Sequence, residues 1–180
     1  MTAVIIETPR LRLRPPVAAD LDAWAALDSD SEATRFIGGV QTRSQSRNGI
    51  AVVNRMWKQQ GCSLFTVIER SSENWVGRVG PWVPKDHIGT EVGWAIARPS
   101  WGNGYAFEAA AAAISWAFES LGWIEVIHCI DAPNQPSINV AERLGSAWMR
   151  EARDADGRTV QVYGQSRQHW FARDICRHPL

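Results

Sequence analysis

The chain has 180 residues, 45% hydrophobic and 21% charged, enough to bury one core and short for two. Its 19 Lys and Arg balance 19 Asp and Glu, so no global field draws it to nucleic acid or an anionic membrane. No apolar stretch approaches the roughly 20 residues that span a bilayer.

The opening "MTAVIIETPR" has no basic segment and only a short apolar run, so no secretion signal is predicted and the cytoplasm is the expected compartment. The alternation of "RLRLRP" (Arg10 to Pro15) predicts a strand stopped by proline. "PVAADLDAWAAL" reads as a helix with Asp20 and Asp22 near its first turn. "TRSQSRNGIAVVNRMWKQQG" reads as a second, amphipathic helix closed by Gly61. "SLFTVIER" and "NWVGRVGPWV" flank the polar turn "SSEN" and are expected to pair antiparallel. "TEVGWAIAR" is a further strand, followed by a glycine-bearing loop and a helix over about Tyr105 to Ser120, ending at Gly122. "WIEVIHCI" is a strand, and "PSINVAERLG" a short helix from Pro136 capped by Gly145. "AWMREARDADGRTVQVYGQS" is a hairpin turning at Asp156-Gly157.

This order predicts an α+β fold, a mixed sheet covered by helices, in one domain over residues 1–180 with its core at about 7–172. The strands from Glu91 and from Trp123 are joined through a helix, which makes them parallel neighbours. The loop between them lies at a strand's carboxyl end and a helix's amino end, where ligands bind in such sheets. Cys62, Cys129 and Cys176 are odd in number and widely spaced. They fit a reducing compartment and argue against a disulfide framework or a structural zinc; no His/Asp spacing suggests a metal. Most of the ten tryptophans are expected in the core.

In "RPSWGNGYAFEA", Gly102 and Gly104 precede the helix directly. Either they make a tight turn, or they clear space for an anion at the unpaired N–H groups of a helix N-terminus. The common nucleotide motifs fail on named residues. The third glycine of G-x-G-x-x-G is replaced by Phe107, and the Gly-Lys-Ser/Thr of a P-loop is absent.

"EVGWAIARPSWGNGYAFEA" followed by "NQPSINVAERLG", with "ETPRLRLRP" and "WVGRVG" before them, resembles the GNAT superfamily of acyl-CoA-dependent N-acyltransferases, in its RimJ/RimL-like branch. The resemblance implies a GNAT-type fold, a twisted and mostly antiparallel sheet with a splayed parallel pair and helices on both faces. It implies acetyl-CoA as cofactor and acetyl transfer to a primary amine, either a protein N-terminus or a small molecule, by direct attack in a ternary complex. It also implies a monomer or homodimer. The alternative is a catalytically silent acyl-CoA-binding module.

The superfamily's loop, Arg/Gln-x-x-Gly-x-Gly/Ala, falls on Trp101, Gly104 and Ala106, with Trp at the first position as in the RimJ/RimL-like branch. The resemblance assigns Trp101, Gly102, Asn103, Gly104, Tyr105 and Ala106 to the pyrophosphate. It places the pantetheine arm along the strand edge near Trp94 and Ile96. Glu91 is the implied base, or else a solvated or arginine-paired carboxylate. The tyrosine acid of many relatives is replaced by Ala141, so Ser137 is the implied donor to sulfur, or else a helix cap. Asn134 is expected on the pantetheine arm or in a turn, and Arg143 at the coenzyme's phosphate or in solvent. Trp24, Phe36 and Trp82 are the acceptor-wall candidates, with core the favoured reading for each. His128 and Cys129, adjacent on a strand, point to opposite faces. His87 is expected in solvent or at the acceptor mouth.

Overall fold

The computed structural model describes residues 4–154 and 157–173. One sheet organises them. Strands β1 (Ile6–Glu7), β2 (Leu11–Arg14), β3 (Phe65–Glu69), β4 (Trp75–Trp82), β5 (Glu91–Ile96), β6 (Glu125–Ile130), β7 (Ala147–Arg153) and β8 (Thr159–Ser166) lie in the order β1-β2-β3-β4-β5-β6-β8-β7. All neighbours run antiparallel except β5 and β6. The helices are α1 (Leu21–Ser29), α2 (Ser31–Thr34), α3 (Arg43–Gln60), α4 (Tyr105–Ser120), α5 (Gln135–Leu144) and α6 (Arg167–Ala172). β1, α2 and α6 are absent from the reading of the sequence, because each is too short to display a period. In the β7–β8 hairpin Asp156 lies outside the described residues, as does Cys176. Cys62 and Cys129 are free thiols. No helix among the described residues is long and apolar enough to cross a membrane.

Local signals set the helix ends. Thr42 accepts from the Gln45 amide while the Gln45 side chain reaches back, a capping box that starts α3. Gly61, at φ 72°, closes that helix in the left-handed region. Asn134 caps α5, one residue earlier than its proline suggests, and Gly145 ends it at φ 91°.

The register sorts the side chains into two faces. Cross-strand partners share a face, so Val79, Val92, Trp94 and Ile96 point one way and Arg78, Trp82 and Glu91 the other. The first face meets α4, whose fully buried alanines (Ala109, Ala110, Ala113 and Ala117) let the helix lie close on the strands. The second face receives α1 and α3 through Trp24, Ile50 and Val53. Burying these apolar side chains, at roughly 1.5–3 kcal/mol each, holds the layers together. Trp24 and Trp170 are buried and most other tryptophans half-buried, as expected of core residues, whereas Trp101 and Trp148 are exposed.

Candidate active site

β5 and β6 share a single ladder pair, Glu91 with Ile127, and then part. Side chains take over where the ladder ends. The Val92 carbonyl accepts from His128 Nδ1 at 2.7 Å, and the Cys129 amide donates to Glu91 Oε1 at 3.3 Å. His128 Nε2, left as the acceptor, takes the Ser146 hydroxyl at 3.0 Å, and Gln165 donates to that same oxygen. His128 is 1% exposed, and burial pulls its pKa down, so the ring is a neutral brace inside the split sheet.

The opened edge is specific. The Ala97 amide bonds the Val76 carbonyl, so the antiparallel alternation turns the backbone groups of Trp94 and Ile96 away from β4 and toward the cleft. The Ile96 carbonyl already accepts from the Trp101 indole at 2.7 Å, tying the glycine loop to the end of the strand.

Gly102 and Gly104 both sit at φ +78°, where an L side chain costs about 1–2 kcal/mol. A Cβ on Gly102 would meet no protein atom within 4 Å, so packing does not explain that glycine. α4 is the decisive feature. Helices α2, α3, α5 and α6 each begin with a side-chain cap; α1, which runs on from a short 3-10 turn, and α4, which starts at Gly104, have none. The Tyr105 and Ala106 amides therefore open a 16-residue helix with no side-chain cap at its positive end, and the acidic residue of its first turn, Glu108, is engaged by Thr8 and Arg10. Arg10 braces this loop from β2's approach. It donates to the Asn103 carbonyl at 2.9 Å and pairs with Glu108 at 2.6 Å, and its Nη2 lies where a Gly104 side chain would come within 3.6 Å. Gly102, Asn103, Gly104, Arg10 and Arg143 line one groove of about 1160 Å³. Arg143 is exposed and stacks on Phe107 at 4.6 Å. These residues fit a diphosphate: bare amides at a helix end beside two guanidinium groups.

A second cavity, of about 700 Å³, lies at the split. Trp94, Asn134 and Ser137 line it with Glu91, His87 and Cys129, and so do all three wall candidates, Trp24, Phe36 and Trp82. Trp24 is also core, 3% exposed under the Arg78 guanidinium, which lies 4.6 Å from its ring. Asn134 closes a turn, its amide on the Asp131 carbonyl at 2.8 Å, and its Oδ1 accepts from the Ser137 amide at 3.3 Å, so Asn134 and not Ser137 caps α5; Asn134 also lines the cavity. The Trp94 indole donates to Ser137 Oγ at 3.3 Å. That contact uses an oxygen lone pair and leaves the hydroxyl proton free to donate.

Glu91 is 8% exposed and opens β5. Neither the solvated nor the arginine-paired reading fits it. Its Oε2 accepts from His87 Nε2 at 2.5 Å, and the Cys129 amide and thiol meet the same carboxylate. Burial and then that carboxylate push the Cys129 thiol well up, keeping it protonated. The solvent position for His87 is overturned. The ring is half-buried and lines the cavity, and the preceding Asp86 sits at φ 63°. One atom each of His87, Glu91 and Cys129 lie within 4.8 Å of one another. Of the other carboxylates on the cavity, Asp28 pairs with Arg78 at 2.7 Å and Asp154 with Arg158 at 2.7 Å, while Asp131 lines it as well.

Sequence reasoning missed the Arg10–Glu108 brace, the His87 contact and the buried Arg78–Asp28 pair. For the brace, the signal was present in the quoted "ETPRLRLRP", without its partner. The model of an acetyltransferase (GNAT) domain matches residues 10–147 of the chain. The chain is 28% identical over 162 residues to a protein described as an uncharacterized N-acetyltransferase, p20, of Bacillus licheniformis, covering 87% of this chain and 91% of that one. An acetyltransferase from Agrobacterium tumefaciens superposes with a TM-score of 0.84 at 25% identity, covering 93% of this chain and 96% of that one. RimJ of Mycobacterium smegmatis, solved in complex with CoA-disulfide, superposes with a TM-score of 0.72 at 15% identity, covering 98% and 94%.

Proposed function

Since this chain belongs to the GNAT acetyltransferase family and moves an acetyl group from acetyl-CoA to an amine, we propose that Glu91 and Ser137 serve the transfer from opposite sides of the split between β5 and β6. The carrying observation is that both line one cavity, at the point where β5 and β6 part. We assign the RimJ/RimL-like branch on the ordered motifs and on the fold shared with RimJ.

Tyr105 and Ala106, with Gly102, Asn103 and Gly104, hold the pyrophosphate through backbone amides, braced by Arg10 and flanked by Arg143. The backbone of Trp94 and Ile96 and the amide of Asn134 hold the pantetheine arm. Bound acetyl-CoA supplies a thioester carbonyl as electrophile. Trp24, Phe36 and Trp82 shape the acceptor side.

The acceptor nitrogen must be neutral to attack. At pH 7 deprotonation costs roughly 1 kcal/mol for an α-amine near pKa 8 and about 4–5 kcal/mol for a lysine-type amine. Glu91 accepts that proton, directly or through water, and the Ser137 hydroxyl, oriented by Trp94, donates toward the departing sulfur. The acceptor is a primary amine, a protein N-terminus or a small molecule, taken up in a ternary complex by a cytoplasmic monomer or homodimer.

The test is Glu91→Gln with acetyl-CoA and an amine panel, followed by thiol release. A kcat lower by about 10²-fold at unchanged acetyl-CoA KM supports the assignment. An unchanged kcat removes Glu91 from the chemistry, and no release with any amine from the native protein favours a silent binder.

A further inference from the structure

His87 comes from the β4–β5 loop, Glu91 from the first residue of β5 and Cys129 from β6, and only the split sheet brings them together. An imidazole nitrogen, a carboxylate oxygen and a thiol sulfur then lie within 4.8 Å of one another. We propose that His87, Glu91 and Cys129 form a binding site for a thiophilic divalent cation of the zinc class, seated over the carboxylate that takes the acceptor's proton. The donor set is selective: sulfur and imidazole disfavour magnesium and calcium, which take oxygen ligands.

The geometry needs little change. Zinc bonds of about 2.0–2.3 Å in a tetrahedral arrangement set ligand atoms about 3.3–3.8 Å apart. The His87–Glu91 contact, at 2.5 Å, opens by about 1 Å to admit the ion between them. Coordination replaces that hydrogen bond with two metal bonds: the His87 proton moves by exchange with water from Nε2 to Nδ1, freeing the Nε2 lone pair for the ion, and the Cys129 proton passes to bulk water as the thiolate forms. The backbone beneath the ligands is already held, with the His87 amide on the Pro84 carbonyl at 3.1 Å and the Glu91 amide on Gly89 at 3.0 Å. Three protein ligands leave the fourth position facing the 700 Å³ cavity, where water or an incoming amine coordinates. An ion there occupies the Glu91 lone pairs and suppresses transfer reversibly. This blocking role rests on the reading of Glu91 as the base; the binding itself does not.

The test uses the full chain and two ions, Zn²⁺ in calorimetry and Co²⁺ in absorption. One Zn²⁺ per chain is expected, with a sulfur-to-Co²⁺ charge-transfer band that Zn²⁺ quenches. His87→Ala and Cys129→Ser each weaken binding by at least about 100-fold, since loss of a mere supporting partner already costs 10–100-fold. Thermal melts verify that the variants fold, and the near-isosteric serine guards against a packing artefact. Zn²⁺ inhibition that a chelator reverses, and that Cys129→Ser escapes, completes the case. No stoichiometric binding, or binding unchanged in both variants, overturns the proposal. Binding lost in both variants with transfer indifferent to Zn²⁺ upholds the site and removes Glu91 as the base.

Discussion

Gly104→Val separates the cost of folding the phosphate loop from its capacity to bind. Gly104 lies at φ +78° at the start of α4, and Gly122 at φ +69° just beyond its end. A Cβ on Gly104 would meet only Arg10 Nη2 at 3.6 Å, and one on Gly122 nothing within 4 Å, so neither site is crowded. A β-branched residue in the left-handed region costs about 1–3 kcal/mol at either position. For a chain of this size that lowers Tm by about 2–12 °C, equally for Gly104→Val and Gly122→Val. Only the first, by leaving its native φ, turns the amides at the start of α4 away from a common point. Losing one charge-assisted hydrogen bond of about 1.5–3 kcal/mol raises the Kd for coenzyme A by about 12–160-fold. Thermal melts and calorimetry with coenzyme A read both quantities in both variants. Equal affinity in the two would show that the glycine serves the turn alone, and the anion-cradle reasoning would fall.

Trp94→Phe keeps a ring against His128, 4.9 Å between centroids, while removing the indole donor to Ser137. A neutral hydrogen bond of about 0.5–1.5 kcal/mol predicts a kcat lower by about 2–13-fold at unchanged acetyl-CoA KM; an unchanged kcat would mean that Ser137 needs no orienting. Arg78→Met leaves Asp28, 1% exposed, with the Ser46 hydroxyl as its remaining hydrogen-bond partner, and urea titration is expected to show a loss of about 3–5 kcal/mol. A loss under 1 kcal/mol would show that the pair contributes no more than an exposed one. For Asp20, burial raises the carboxyl pKa, but hydrogen bonds from Arg14, the Val17 amide and Thr66 outweigh it and hold the group below the usual carboxylate range. The unfolded chain then binds the proton more tightly, so this contribution is complete above about pH 4 and disappears as pH falls through the lower folded value. Asp20→Asn is expected to flatten that acid limb of stability, and an unaltered limb would assign it to other groups.

The site was legible to different depths at different residues. The glycine loop could be read because a φ requirement and a helix start are local properties, and Gly102 and Gly104 hold the conformations they were expected to need. Glu91 and Ser137 could be placed at element ends, and Trp94 on a strand, but not their partners. Asn134 is the instructive case, since the cap of α5 was offered to Ser137 and the structure gives it to Asn134, three residues earlier. Of the two places offered for His87, solvent is overturned, because a polar loop reads as solvated when its contact with Glu91 is out of view.

By itself, the sequence determined the identity and order of the main elements, their ends and the parallel pairing across the β5–α4–β6 crossover. Periodicity, caps and breakers act within a few residues of the chain, so they can be read along it. Only the tertiary structure decided what surrounds the reacting groups. Arg10 reaches Asn103 across 93 residues, Trp94 meets Ser137 across 43, and Glu91 meets Cys129 across 38. The last of these follows from where one strand pair stops hydrogen-bonding, and no local pattern records that point.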